Sequence, residues 1–210
     1  MVVALGSDRV RWKLAELATE ALMVVFAVLV ALGVEEWRDE RQLREFADRA
    51  RAAVDQEIEQ NLAEFRSEGP SLIDGRDSMR SMLQTLRDAQ EARDRGESGN
   101  ATANFAFDFP DISTAAWRVA QTSQAAPYFD YDWVIERARH YDGLETYLDL
   151  RDEVVDEISS LIASRDMDAS AVVVRRLYGR LEVLVQLHEG LQEDMEEYLG
   201  ESQINREPTT

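Results

Sequence analysis

The chain has 210 residues, of which 23 are basic and 42 acidic, so its formal net charge is −19. Such a field repels a phosphate backbone, which excludes nucleic acid as a partner. The absence of cysteine excludes disulfides, thiolate nucleophiles and cysteine-based metal sites, while a hydrophobic share of 45% is too high for a disordered chain.

The N-terminal part of the chain carries its strongest pattern. Residues 21–34 are uncharged, and residues 14–20 extend this run to about 30 Å of helix, the thickness of a hydrocarbon core. Trp12 and Trp37 flank the run, as indoles do at the two headgroup layers. We therefore predict a basic tail over residues 1–13 and a transmembrane helix over 14–34. No small-residue cleavage site follows the run, which favours a retained anchor over a signal peptide.

Glu20 lies inside this predicted anchor, where a carboxylate costs about 2.5 to 3.5 kcal/mol at the bilayer centre. It either contacts another transmembrane helix, is tolerated close to the headgroups, or is protonated. Arg9, Arg11 and Lys13 precede the run, and a similar number of arginines follows it. A basic start before one apolar segment favours a bacterial inner (plasma) membrane protein whose C-terminal domain is periplasmic or otherwise extracytoplasmic.

Beyond the anchor, an acidic helical domain is predicted over residues 35–199. Apolar residues from Leu43 to Phe65 recur every three or four positions, which is typical of an amphipathic helix. Gly69-Pro70 then favours a break, so residues 35–95 are predicted to form an antiparallel hairpin. The stripe could instead self-associate as a coiled coil, which makes a homo-oligomer possible.

The C-terminal half is predicted to be a loop over residues 96–112, helices over 113–199 and a flexible tail over 200–210. Pro127 marks a break between a short helix and a long helix that starts at Asp130. The predicted fold class is all-α, with one N-terminal transmembrane helix that continues into an antiparallel helical bundle.

Two short blocks resemble a bacterial domain-of-unknown-function family. Glu20, the apolar run through Ala31-Leu32 and the exit Trp37–Glu40 are similar to the family's near-N-terminal Glu, its Ile-Ala-Leu ending and its Trp-Asn-Glu exit. Residues 113–150 are similar in plan, with His140-Tyr141 where members have a Tyr-Tyr motif. The resemblance implies a single-pass membrane protein with a helical domain and no known activity.

No catalytic motif is present, and no cofactor or metal site is predicted. His140 and His188 are each alone in a charged segment and are predicted to be surface side chains. Acidic clusters on the last two helices lack the Glu-x-x-His repeats of di-iron bundles, so they are interpreted as solvated faces. We therefore expect that the protein is not an enzyme.

Four aromatic residues near the middle of the chain are candidates for an interface or a pocket, namely Trp117, Tyr128, Trp133 and Tyr141. The alternative is that they form the core. The sequence favours a membrane-anchored interaction or scaffold protein that contacts the lipid bilayer and another membrane or envelope protein. A helical-bundle module that binds a ligand outside the cytoplasm and acts through a membrane partner is the second hypothesis.

Overall fold

Helices make up the regular structure of the described residues. The computed structural model describes residues 7–97, 108–163 and 167–204, with side chains described over 20–97, 108–161 and 171–201. No strand occurs in these ranges, so the predicted all-α class is confirmed. The helices are α1 (Ser7–Asp94), α2 (Ala115–Thr122), α3 (Tyr131–Ala163) and α4 (Met167–Ile204), and a single 3-10 turn spans Ala126–Tyr128.

The chain divides into two compact units, residues 1–49 and residues 50–210. In the first unit, the described residues form the N-terminal part of α1. Every side chain from Glu20 to Asp39 is exposed in this part of the helix. The side chains before Glu20, including all of those in the predicted basic tail 1–13, lie outside the described residues.

The predicted membrane anchor is corrected by the structure. Over residues 7–97, 108–163 and 167–204, no helix combines the length and the apolar character that a membrane crossing needs. On this finding, the transmembrane helix 14–34 and the single-pass inner-membrane location are wrong. The physical reason is length, because the uncharged residues 21–34 make only about 21 Å of helix against a hydrocarbon core of about 30 Å.

In the second unit, α1, α3 and α4 form a three-helix arrangement. The helices α1 and α4 are antiparallel, as shown by the contacts Asp55 to Tyr198, Phe65 to His188 and Arg80 to Tyr178. The helix α3 is parallel to α1, because residues further along α3 contact residues further along α1. It is antiparallel to α4, because residues further along α3 contact residues nearer the start of α4. These contacts are Arg51 to Trp133, Glu57 to Tyr141, Tyr147 to His188 and Glu157 to Arg180.

The predicted hairpin over 35–95 is replaced by one continuous helix, because α1 runs through Gly69-Pro70 without ending. The His188 side chain of α4 comes so close here that a Cβ on Gly69 would lie 2.8 Å from its Nε2. His188 Nε2 donates a hydrogen bond to the Phe65 carbonyl at 3.0 Å. The glycine thus permits a close helix-helix contact, and tertiary packing holds α1 together at a pair of residues that favours a break.

The later helix boundaries agree closely with the sequence pattern. The helix α2 begins at Ala115, and α3 begins at Tyr131, where the Trp133 amide donates to the Asp130 carboxylate at 3.0 Å. The helix α4 continues to Ile204, beyond the predicted end at residue 199. Most of the predicted loop 96–112 and the end of the predicted tail lie outside the described residues.

Candidate functional site

A buried carboxylate on α1 connects this helix to the start of α2 and to α3. Glu57 is only 5% exposed and accepts hydrogen bonds from the Ser113 hydroxyl at 2.6 Å and the Tyr141 hydroxyl at 2.7 Å. It also accepts from the Ala116 and Trp117 amides at the start of α2, at 2.8 and 3.3 Å. A negative charge in this position stabilises the first turn of the helix.

Asn61, one turn further along α1, fixes the same segment. Its side-chain amide donates to the Ser113 carbonyl at 2.8 Å, and its side-chain oxygen accepts from the Ser113 amide at 2.9 Å. Burial raises the pKa of the Glu57 carboxyl, but hydrogen bonds led by the one from Ser113 outweigh this effect, so the net pKa is lowered. Glu57 is therefore ionised at neutral pH and acts as an acceptor only.

Three of the four predicted aromatic site residues come together beside Glu57. Trp117 and Tyr141 stack with ring centroids 5.2 Å apart, and Trp133 meets Trp117 edge-on at 6.0 Å. All three rings are buried, whereas Tyr128 on the 3-10 turn is 37% exposed and is not part of this stack. The three buried rings pack against one another as core residues.

A cavity of about 480 Å³ lies between α3 and α4, and its lining includes His140, the residue directly before Tyr141. Arg137, His140 and Tyr198 are its more buried lining residues. Its exposed rim carries the charged side chains Glu136, Arg139, Asp194, Glu197 and Glu201. The rim thus has four acidic groups against one basic group.

Two lining residues of this cavity each have one buried polar atom without a hydrogen-bond partner. Arg137 is 6% exposed and its Nε is unpaired, while His140 is 8% exposed and its Nε2 is unpaired. The Arg137 guanidinium lies 3.4 Å from the centroid of the Tyr198 ring, and the Tyr198 hydroxyl donates to Asp55. Both unpaired atoms are closed to solvent, so they lie in the packing around the cavity and not on its open surface.

Burial controls the protonation of both groups. Burial, with a smaller contribution from the Arg137 charge, lowers the pKa of His140 to about 4. Burial also lowers the pKa of Arg137, although that guanidinium stays charged at neutral pH. The cavity therefore presents a cation and a neutral imidazole beneath an acidic rim.

Sequence reasoning placed both histidines on the surface, and the structure buries them. His140 is 8% and His188 3% exposed. The signal that could have found them is their position in the apolar stripe of each helix, next to Tyr141 in α3 and to Leu187 in α4. In the described residues, no group of three or more His, Asp or Glu side chains is arranged to hold a metal ion.

The first unit carries a separate candidate surface, the apolar segment 21–34. Within it, ten large apolar side chains have exposed fractions between 48% and 71%, and Trp37 just beyond it is 59% exposed. Glu20, the predicted contact residue, is exposed at the N-terminal boundary of this segment. Exposed apolar patches of this size mark interaction sites in folded proteins.

Comparisons of the chain with models of known protein families, with curated proteins and with solved structures return no match. The resemblance to a bacterial family of unknown function therefore stays a prediction.

Proposed function

We propose that this protein is a helical interaction or scaffold protein, and that its apolar segment 21–34 associates with the same segment of a second copy. The observation that carries the proposal is the exposure of ten large apolar side chains on one short stretch of helix. Burial of apolar surface is the main favourable contribution to protein association. A second copy supplies an apolar surface of equal length.

The exposed area is large enough for a stable interface. With Trp37, eleven large apolar side chains are about half to three-quarters exposed. At roughly 100 Å² each they expose on the order of 1,000 Å², compared with about 300–600 Å² for the largest apolar patch of a typical monomer. A standard protein interface buries about 800 Å² on each partner. The segment therefore has enough apolar surface for self-association.

Charge favours the first unit as the contact between copies. Residues 1–49 contain seven basic and nine acidic side chains, whereas residues 50–210 contain sixteen basic and thirty-three acidic ones. Two copies of the acidic second unit repel each other, whereas two copies of the nearly neutral first unit do not. Salt screens this repulsion, so we expect association to strengthen as ionic strength rises.

The test is analytical ultracentrifugation of the full chain over a range of protein concentrations. We expect a concentration-dependent oligomer that becomes a monomer in the double variant Val25→Glu with Val30→Glu. Val119→Glu with Val183→Glu is the matched control, because these two valines are exposed to a similar degree, 58% and 53%, in the second unit. The control should keep the oligomer, since it adds the same charges away from the segment.

Two results would overturn the proposal. One is a wild-type chain that sediments as a monomer at all concentrations and at high salt. The other is a chain that is monomeric alone but floats with phosphatidylcholine and phosphatidylglycerol vesicles, because lipid and not a second copy would then cover the segment.

A further inference from the structure

We propose that a groove between the C-terminal end of α1 and the first turns of α4 binds a small phosphate monoester, with its phosphate at three arginines and its organic group on two leucines. The arginines are Arg87, Arg93 and Arg175, and they line one hollow of about 140 Å³. The site is independent of self-association, because its lining residues all belong to the second unit.

The antiparallel pairing of α1 and α4 forms the groove. Arg80 on α1 donates hydrogen bonds to the Tyr178 hydroxyl on α4 at 2.9 and 3.1 Å. Beyond this contact, residues further along α1 lie beside residues nearer the start of α4. Arg175 of α4 therefore lines the same hollow as Arg87 and Arg93, which lie far earlier in the chain.

The three arginines of the groove differ from nearly all others in the second unit. Those others contact a carboxylate, a hydroxyl group or an aromatic ring, as Arg66 contacts Glu196. Among the arginines of this unit whose side chains the structure describes, those without such a contact are Arg87, Arg93, Arg139 and Arg175. Three of these four line the groove, although acidic side chains outnumber basic ones in this unit by thirty-three to sixteen.

The acidic residues of the same stretch of α1 do not supply the missing counter-charge. Asp88, Glu91 and Asp94 lie between or beside the groove residues in sequence, yet none of them lines the hollow. Every charged side chain among the described lining residues is an arginine. Like charges at one hollow repel one another, and a bound anion removes this repulsion.

The helix dipole accounts for only one of the three arginines. Arg93 lies in the last turn of α1, where a cation interacts favourably with the dipole. The effect is limited to the first and last turns of a helix. Arg87 lies before the last turn of α1, and Arg175 lies beyond the first turn of α4. Their place in the groove therefore has no explanation in helix stability.

A phosphate group matches the donors of the groove. Each arginine presents five N–H donors in a planar fork that suits phosphate oxygens. A phosphate monoester carries close to two negative charges at neutral pH and has three acceptor oxygens. Arg87, Arg93 and Arg175 are all exposed, so a ligand can reach them. One local phosphate site does not make a nucleic-acid surface, because that needs basic residues along the whole backbone.

The floor and the size of the groove indicate a small organic group on the phosphate. Leu83 is 8% exposed, and Leu86 and Ala171 are partly buried, so the floor is apolar. The volume of about 140 Å³ is close to the roughly 150 Å³ of a cavity that holds benzene. The groove is too small for the acyl chains of a phospholipid. These features favour a free phosphate ester over a lipid headgroup or inorganic phosphate.

The experiment is an NMR titration of the ¹⁵N-labelled full chain with phenyl phosphate above pH 7, where the phosphate is largely a dianion. Inorganic phosphate and phenol are the probes that carry only one of the two parts. We expect phenyl phosphate to shift the backbone amide signals of Arg87, Gln90 and Arg175. It should bind at least tenfold more tightly than either probe.

A matched pair of variants locates the site. Arg87→Gln with Arg175→Gln should weaken phenyl phosphate binding at least tenfold. Arg118→Gln with Arg139→Gln should leave it unchanged, because these arginines are also exposed but do not line the groove, and the net charge changes equally. All four side chains are exposed, so both variants should fold, which circular dichroism checks.

Four results would overturn the inference. The first is the absence of any shift at the groove, and the second is equal binding of inorganic phosphate, which would mean a plain anion site. The third is equal weakening in both double variants, which would mean that only net charge matters. The fourth is binding to phosphatidic acid vesicles that requires Arg87 and Arg175 without any binding of phenyl phosphate, because the groove would then contact a membrane.

The variant Val25→Glu with Val30→Glu separates this site from self-association. It should bind phenyl phosphate as the wild-type chain does, whether or not the wild-type chain forms an oligomer. Loss of binding in this variant would contradict the independence of the two sites.

Discussion

The helix α1 contains two apolar regions with opposite environments. In the first unit, Val25 and Phe26 are 54% and 68% exposed, whereas in the second unit Val54 and Phe65 are fully buried. The first region is apolar on all sides of the helix, and the second has a single apolar stripe between charged residues. The amount of apolar surface therefore does not decide whether a region is buried. A helix with one apolar face can pack that face against the neighbouring helices of the bundle, whereas a helix that is apolar on all sides cannot bury its whole surface in this way.

Replacing a phenylalanine in each region should separate the two environments most strongly. Phe65→Ala removes a ring that stacks on His188 at 4.4 Å and contacts Tyr147 at 5.1 Å. We expect it to lower the free energy of unfolding by about 3–5 kcal/mol. Phe26→Ala should change it by less than about 0.5 kcal/mol. Urea denaturation of dilute protein measures both values, and equal effects would contradict the comparison.

The buried carboxylate of the second unit gives the next largest effect. Glu57→Ala leaves two hydroxyl groups and two amides without their acceptor, so we expect a loss of about 3 kcal/mol. Glu59→Ala, on an exposed position of the same helix turn, is the control and should cost less than about 0.5 kcal/mol. Thermal and urea unfolding measure the difference. A loss below 1 kcal/mol for Glu57→Ala would mean that water replaces the carboxylate without cost.

Stability should depend on pH through His140. Its pKa is lowered to about 4 in the folded chain, whereas an unfolded histidine has a pKa of about 6.5. Between pH 6.5 and pH 4 the unfolded chain binds more protons than the folded chain. The stability that neutral, buried His140 contributes is therefore present above pH 6.5, and the protein loses it as the pH falls towards 4. We expect a loss of about 2 kcal/mol between pH 7 and pH 5.

The control for this prediction is His140→Gln, which removes the titrating group. His188, whose pKa is also lowered, mainly by burial, remains in the variant and titrates in the same direction. The pH dependence of unfolding should therefore become smaller in His140→Gln without disappearing. An unchanged dependence would show that His140 is not buried as a neutral ring in solution.

The smallest effect tests the close contact at Gly69. Gly69→Ala places a Cβ 2.8 Å from His188 Nε2 and disturbs its hydrogen bond to Phe65, so we expect a loss of about 1–2 kcal/mol. Gly179→Ala is the matched helical control, because nothing lies within 4 Å of a Cβ there. That control should raise stability by up to about 1 kcal/mol through helix propensity. Equal gains at both glycines would contradict the contact.

Part of the candidate site could be predicted from the sequence. Trp117, Trp133 and Tyr141 were recognised as a group, and the structure brings them together beside Glu57. Glu57 itself resembled any other acidic residue on an amphipathic helix, because its four partners lie more than fifty positions away. The cavity was also missed, since it combines side chains from α3 and α4 that are far apart in sequence.

The sequence by itself determined the all-α class, the apolar stripe of α1 and the start of α3 behind Asp130, because helix propensity, period and capping act over a few residues. Only the tertiary structure decided that α1 continues through Gly69-Pro70, that Glu57 holds α2 and that His140 is buried. These features depend on contacts between residues far apart in the chain. Such contacts can outweigh a local preference of a few kcal/mol, as they do at Pro70.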